Sequence, residues 1–209
     1  MSAAAISYAH QPLPMGPHTE GRVVLHGVPW WMYVALRDSL DSSGSGVRMT
    51  YLDGELELMS PSNLHEEAKT IIARLIEIWA VEKMIDLRGF GSTTFRKEAK
   101  RGGLEPDECY KLGPIEGDGV PDIAIEVNVS RSHLNKLEVY RRLGVSEVWG
   151  WESSTKEIVI HRATPEGYVQ ASASVVLADL DIALLARFVR PGENQTQLSI
   201  AYRDALRET

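Results

Sequence analysis

Three side chains between Leu104 and Lys136 offer chemistry: Asp107, Glu126 and Lys136. Asp107 follows Pro106 and opens the run Glu108 to Leu112, where a strand is expected. Glu126 sits inside Ile123 to Val129, a β-branched, apolar run that reads as a buried strand. The break from Gly113 to Gly119 has the composition of a turn. Two strands joined by a hairpin-like loop would set the two carboxylates side by side. Burying an unpaired carboxylate is costly, so Glu126 within IAIEV needs a metal ion or a lysine partner. Two carboxylates on neighbouring strands are hard oxygen ligands suited to Mg²⁺. That ion holds a phosphate oxygen, lowers the pKa of a bound water and neutralises a leaving oxygen. A lysine beside the water orients or deprotonates it, or stabilises the developing charge. Asp, Glu and Lys are thus the minimum set for metal-assisted phosphodiester hydrolysis, although the spacing alone is unspecific. The chain has no P-loop, no CxxC zinc spacing and no GxSxG elbow.

Several elements must position these groups. Pro29 to Leu40 has helical spacing, with Pro29 suited to the first helical position. Val47 to Met59 alternates around Asp53-Gly54 and predicts an N-terminal β-hairpin with a primed turn. Glu55 and Glu57 share one face of its second strand, read as a solvated face. A helix then runs to about Lys83, with an Asn63/Glu66 capping box and an apolar stripe from Ala68 to Trp79. In its first turn His65 reads as a structural or surface histidine, and Glu66 as a partner of the helix dipole. Asp86 to Lys97 predicts two strands around a glycine-rich turn. Arg88, Arg96, Lys97, Lys100 and Arg101 concentrate positive charge before Asp107, either as a solvated loop or as a phosphate-steering patch. Ser132 to Leu143 predicts a helix ended by Gly144. Strands at Glu147–Trp151, Glu157–Arg162 and Gly167–Ala171 and a helix at Leu177–Val189 follow. Cys109, Tyr140, Trp149 and Trp151 read as core. The order predicts an α/β domain with helices packed on a mixed sheet. Residues 1–20 read as a flexible tail, 21–190 as the domain and 191–209 as a polar, partly helical extension.

The chain has 209 residues, 44% of them hydrophobic, which suits one domain with a sizeable core. A net charge of −7 argues against a surface coated in basic residues for nonspecific nucleic-acid binding, though not against a local patch. The single cysteine excludes an intrachain disulfide framework and fits a reducing compartment. With no apolar run long enough to span a membrane and no signal-like N-terminus, a cytoplasmic location is expected.

The runs YLDGELELMSPS…HEE, TTFRKEAKRGGLEPDECY and PDIAIEVNVSRSHLNKLEVYRRLGVSEVWGWE resemble the Uma2 family, a bacterial family of DUF820 type named as restriction endonucleases. The resemblance covers about Arg22 to Phe188. It implies a restriction-endonuclease-like fold of the PD-(D/E)xK type and cleavage of DNA with Mg²⁺, for which Mn²⁺ substitutes. Asp107 in EPDE matches the PD aspartate and Glu126 the second acid. Asn128 stands where the usual lysine would, and Lys136 in the following helix matches the family's replacement. Asp122 also follows a proline, but its four-residue separation from Glu126 on one strand, roughly 13 Å, is too long to share an ion directly. Asp122, Glu55 and Glu66 are accessory candidates. Arg96, Lys97, Lys100 and Arg101 are candidate DNA contacts. The resemblance also implies a homodimer with one site per strand. Two competing expectations are a catalytically inactive nucleic-acid-binding or assembly module, motivated by Asn128 and the acidic balance, and a phosphodiesterase acting on another substrate.

Overall fold

The computed structural model describes residues 20–114 and 119–208. Its central strand is β8 (Ile123–Asn128), buried on both faces as its apolar run requires. Side chains alternate along it. Ile123, Ile125 and Val127 join a large core with the helix α2 (Asn63–Glu82), while Ala124 belongs to a smaller core with the helix α3 (Lys136–Leu143). Glu126 therefore lies on the α3 side of the strand.

This strand belongs to a six-stranded sheet in the order β11-β10-β9-β8-β7-β4. Its other members are β4 (Leu87–Gly89), β7 (Glu108–Leu112), β9 (Glu147–Glu152), β10 (Glu157–Thr164) and β11 (Gly167–Ala171). β7 and β8 run antiparallel, as expected for a hairpin-like pair. β8 and β9 run parallel, so the chain must cross over between them, and α3 forms that crossover. The expected mixed α/β arrangement is present. A second sheet joins it, wholly antiparallel in the order β1-β3-β2-β6-β5, built from β1 (Gly21–Leu25), β2 (Arg48–Leu52), β3 (Glu55–Ser60), β5 (Phe95–Lys97) and β6 (Gly102–Leu104). The helix α1 (Trp30–Ser43) packs on it through Tyr33, which stacks on Tyr51 at 4.9 Å between ring centres. The predicted hairpin is β2–β3, and Asp53 and Gly54 both have positive φ (51° and 98°), as a primed turn demands.

Several boundaries differ from expectation for local reasons. Pro29, expected at the first helical position, is instead the N-cap of α1. Ser62, not Asn63, caps α2, accepting a hydrogen bond from the backbone N–H of His65. α3 begins at Lys136 rather than Ser132, because side chains hold the preceding loop. Ser132 Oγ accepts from Leu134 N, and Asn135 accepts from Glu138 N as the cap. The helix expected from Leu177 shortens to α4 (Ile182–Phe188), capped by Asp181. Its neighbour α5 (Gln195–Arg207) is longer than expected, and Leu198, Tyr202 and Leu206 enter the main core beside α2. The expected tail lies outside the described residues except for Glu20.

Candidate active site

Asp107 lies where the chain leaves β6 in one sheet and enters β7 in the other. Its backbone N–H donates to the carbonyl of Ile125, the same residue that pairs with Glu108. Two consecutive residues thus address one partner, a bulge-like irregularity suited to the preceding Pro106. The irregularity aims the Asp107 carboxylate at β8, where Oδ2 accepts from Val127 N at 2.7 Å. Glu126 is the neighbour of that residue. Its Oε2 lies 2.6 Å from Lys136 Nζ, and its Oε1 accepts from the Tyr140 hydroxyl. Lys136 and Tyr140 are four residues apart on α3, so one helix face supplies both donors. Asp107 and Glu126 are 1% and 4% exposed, which excludes water as their main stabiliser.

A second layer holds Asp107 from behind. His65, fully buried at the start of α2, places Nε2 2.9 Å from Asp107 Oδ1 and Nδ1 2.7 Å from Glu20 Oε1. The imidazole of His65 is thereby clamped between two carboxylates. Although burial opposes its charge, the bonds to Asp107 and Glu20 raise its pKa to about 9, so it is an imidazolium at neutral pH. Glu20 in turn accepts from Ser130 N at 3.1 Å, from Ser130 Oγ and from Arg22 at 2.9 Å. Arg22 also pairs with Glu57 at 2.7 Å. Glu57 anchors the loop before α3 through Ser132 Oγ at 2.8 Å and His133 N at 2.7 Å. Strand β1 and the two sheets therefore meet in one buried network of alternating charge.

Charges in this network shift as their surroundings dictate. Burial drives Asp107 upward, but His65, Lys136 and the Val127 N–H outweigh it, and its carboxyl is held below the usual range. Burial pushes Glu126 above that range. Asp107 adds to the push, and the Lys136 ammonium and Tyr140 hydroxyl pull against it. Lys136 loses solvation yet has its pKa raised by Glu126 and Asp107, so it stays protonated. Tyr140 is pushed well above the ordinary phenol value by burial and by Glu126, which makes it a donor only.

Three of the four carboxylate oxygens of Asp107 and Glu126 each accept one protein hydrogen bond, and Asp107 Oδ1 faces the His65 imidazole at 2.9 Å. Among the described residues no cluster of three or more His, Cys, Asp or Glu side chains has the geometry to hold a metal ion. Two carboxylates fit Mg²⁺, which keeps several waters and is commonly held by one or two acids plus substrate phosphates. They do not fit zinc, which takes three or four nitrogen, sulfur or oxygen ligands. Glu126 opens onto a pocket of about 420 Å³, whose lining includes Asn128, Arg131, His133, Lys136, Gly150 and His161.

The remaining candidate residues lie in other pairings. Glu55 is exposed at the hairpin tip, 3.1 Å from His26. Glu66 pairs with Lys69 at 2.7 Å on the surface of α2. Asp122 accepts from Leu112 N at 2.9 Å and from Lys111 at 3.3 Å. Arg96 pairs with Asp38 at 2.9 Å, and Arg101 lies 3.8 Å from Asp53. These two and their neighbours Lys97 and Lys100 belong to β5, to a 3₁₀ turn (Glu98–Lys100) and to its cap, at the edge of the antiparallel sheet. Glu57, read as solvated from strand alternation, is only 1% exposed. Sequence reasoning also passed over Glu20, His65 and Tyr140 as site residues. Of these only Tyr140 had a signal: it lies four residues after Lys136, on the same helical face. Cys109 is a buried thiol whose pKa burial pushes up to about 12, so it is no nucleophile. A buried acid is not by itself functional, either. Glu147 is fully buried, but it caps a turn by accepting from Ser174 Oγ, Val175 N and Trp149 Nε1.

No curated protein matches the chain. Among solved structures it is similar to one described as "a putative nuclease belonging to DUF820" from Anabaena variabilis, at 13% identity over 74% of this chain and 90% of that one, with a TM-score of 0.45. A family model described as "Putative restriction endonuclease" matches residues 33–192, which span the paired acids, the crossover helix and both sheets from α1 onward. By that match the chain belongs to the Uma2 family.

Proposed function

We propose that this protein is a Mg²⁺-dependent endonuclease that hydrolyses DNA phosphodiester bonds, with Asp107 and Glu126 as the metal-holding acids and Lys136 as the catalytic amine. One observation carries the proposal: an ammonium from α3 lies 2.6 Å from Glu126, while the backbone N–H next to Glu126 holds Asp107. When bound, Mg²⁺ would polarise the phosphoryl group and acidify a water. The chain's own residues do the rest. Because its pKa is raised, Lys136 serves as a cation that orients the attacking water or stabilises charge developing on phosphoryl oxygens. Tyr140 fixes the Glu126 carboxylate from the opposite oxygen, and His65 fixes Asp107. Low exposure keeps bulk water away and strengthens each of these interactions.

The test is cleavage of plasmid and oligonucleotide DNA with Mg²⁺ or Mn²⁺. Asp107→Asn and Lys136→Met, each checked for folding by circular dichroism, are expected to lower the rate about 100-fold or more. Undiminished cleavage in both variants would refute the assignment.

A second reading, a nuclease fold that binds nucleic acid without cutting it, draws on Asn128. This side chain stands at the usual lysine position and donates to Glu152 at 2.6 Å. Metal-independent DNA binding with no cleavage under any divalent ion would favour it.

A further inference from the structure

We infer that Glu57 and Arg22, both in the antiparallel sheet, are positioning residues for Lys136: together they fix the 130–133 loop from which α3 starts. The inference rests on the nuclease reading above and deepens it, because it names what puts the catalytic amine in place. Among the described residues neither side chain has a hydrogen bond to Asp107, Glu126 or Lys136. Both act through the loop.

β8 ends at Asn128 and α3 begins at Lys136, so residues 129–135 belong to neither a strand nor a helix. Their backbone groups need partners from elsewhere. The antiparallel sheet supplies them. Glu57 Oε2 accepts from His133 N at 2.7 Å, and Glu57 Oε1 accepts from Ser132 Oγ at 2.8 Å. Arg22 donates through Nε to Ser130 Oγ at 2.8 Å and through one terminal nitrogen to the Ser130 carbonyl at 3.3 Å. Its other terminal nitrogen donates to Glu57 at 2.7 Å. The planar guanidinium therefore joins Ser130 and Glu57 in one rigid unit. Ser132 passes this hold along the chain. Its Oγ accepts from Leu134 N at 3.3 Å, and the Leu134 carbonyl accepts from Lys136 N at 3.0 Å. From that point the Lys136 stem carries Nζ to within 2.6 Å of Glu126.

An acid at position 57 is explained by the loop and not by its own strand. Glu55, two residues earlier on β3, is exposed, whereas Glu57 is buried. A buried carboxylate is costly unless its oxygens are satisfied, and two of the three donors to Glu57 come from the loop. An apolar side chain would fill the strand position without that cost, but it could not accept from two successive loop residues. Lysine carries its charge on a flexible four-carbon stem, so the place of Nζ depends on how firmly the backbone below it is held. A misplacement of about 1 Å in a catalytic group costs about 100-fold in rate.

The experiment uses the full chain without divalent ions and reads Lys136 directly. Lysines are trace-labelled with acetic anhydride at one fixed pH, and peptide mass spectrometry gives the labelling rate at Lys136 relative to Lys111. Lys111 is a matched internal reference: it pairs with Asp122, and its side chain is 16% exposed against 18% for Lys136. Glu57→Gln keeps the shape, but its amide nitrogen cannot accept, so the donors at one end are lost. Arg22→Lys keeps the charge and loses the fork, so a change there cannot come from net charge. Both variants are expected to raise the Lys136/Lys111 ratio several-fold. On plasmid DNA with Mn²⁺ they are expected to lower kcat about tenfold or more while KM stays near the parent's. A ratio equal to the parent's in both folded variants would overturn the inference, and so would an equal rise at the two lysines, which reports general loosening. If Glu57→Gln fails to fold, Arg22→Lys decides alone. A raised ratio in a protein whose parent cuts no DNA would support the positioning of Lys136 and remove the nuclease reading.

Discussion

At the scale of single residues, this site is an arrangement of charges that are stable only together. Asp107, Glu126, Glu20 and Glu57 would each be costly to bury alone; His65, Lys136 and Arg22 are interleaved among them. Removing one member leaves an uncompensated neighbour, so the cost exceeds that of the lost contact. His65 makes this measurable. Its pKa is about 9 in the folded chain against 6.5 for the free side chain, so its contribution is complete below pH 6.5 and lost as pH rises through 9. The shift corresponds to about 3 kcal/mol at most. Urea unfolding of the metal-free protein should therefore show stability falling between those two pH values, and His65→Gln should flatten that fall. A variant with the parent's slope would contradict the charged clamp. Glu20 gives the mirror case, with its pKa lowered to about 2 from 4.5: its contribution is present above pH 4.5 and lost as pH falls toward 2. Both shifts include the same ion pair, so they are not summed.

At the scale of elements, α3 is the part on which the proposed chemistry would turn. A lysine two residues beyond the second acid would sit on β8 itself. Here the crossover helix supplies the amine from its first residue, so amine placement depends on where the helix begins. An ammonium at a helix N-terminus opposes the helix dipole, and the Glu126 carboxylate offsets this. Asn135 sets the start by accepting from Glu138 N at 3.1 Å. Asn135→Ala is expected to cost about 1 kcal/mol in thermal or urea unfolding. It should also slow cleavage by more than that loss of stability explains, because Lys136 would lose its fixed starting point. A rate unchanged under fully folded conditions would show that the cap does not position the amine. Gly144, with φ of 92°, ends the helix and turns the chain toward β9.

For the whole molecule, the mixed α/β fold makes the site a junction between two sheets. The antiparallel sheet brings Glu57 and, through the strand β1, Arg22; the mixed sheet brings Glu126; and Asp107 joins the two. Rigidity at such a junction depends on packing far from it. The helix α5 covers α2 and buries Leu198, Tyr202 and Leu206 in the main core, where residues 191–209 read as a polar, partly helical extension. Leu198→Ala should cost about 2–5 kcal/mol, the range for a buried leucine, by urea denaturation. A loss below about 0.5 kcal/mol, typical of surface substitutions, would show that this helix is dispensable to the core. Because α2 also carries His65, loosening α5 is expected to be felt at Asp107.

Grouping Lys136 with Asp107 and Glu126 drew on the family resemblance, whereas local pattern alone was enough to read the hairpin at Asp53-Gly54, the buried strand around Glu126 and the glycine stop at Gly144. These depend on neighbours a few residues apart, or on one strand pairing with the next, and such relations are written in periodicity and turn chemistry. Contacts made across long stretches of chain were decided by tertiary structure. Strand alternation assigned Glu57 to solvent because it cannot reveal that Arg22 and the 132–133 backbone cover that face. Nothing near His65 in the sequence announces Glu20 or Asp107, each more than forty residues away. The sequence by itself determined which groups could do the chemistry and what their own elements would be. Only folding decided which buried charges face one another, because the stabilisation of a buried ion depends on its spatial neighbours and not on its place in the chain.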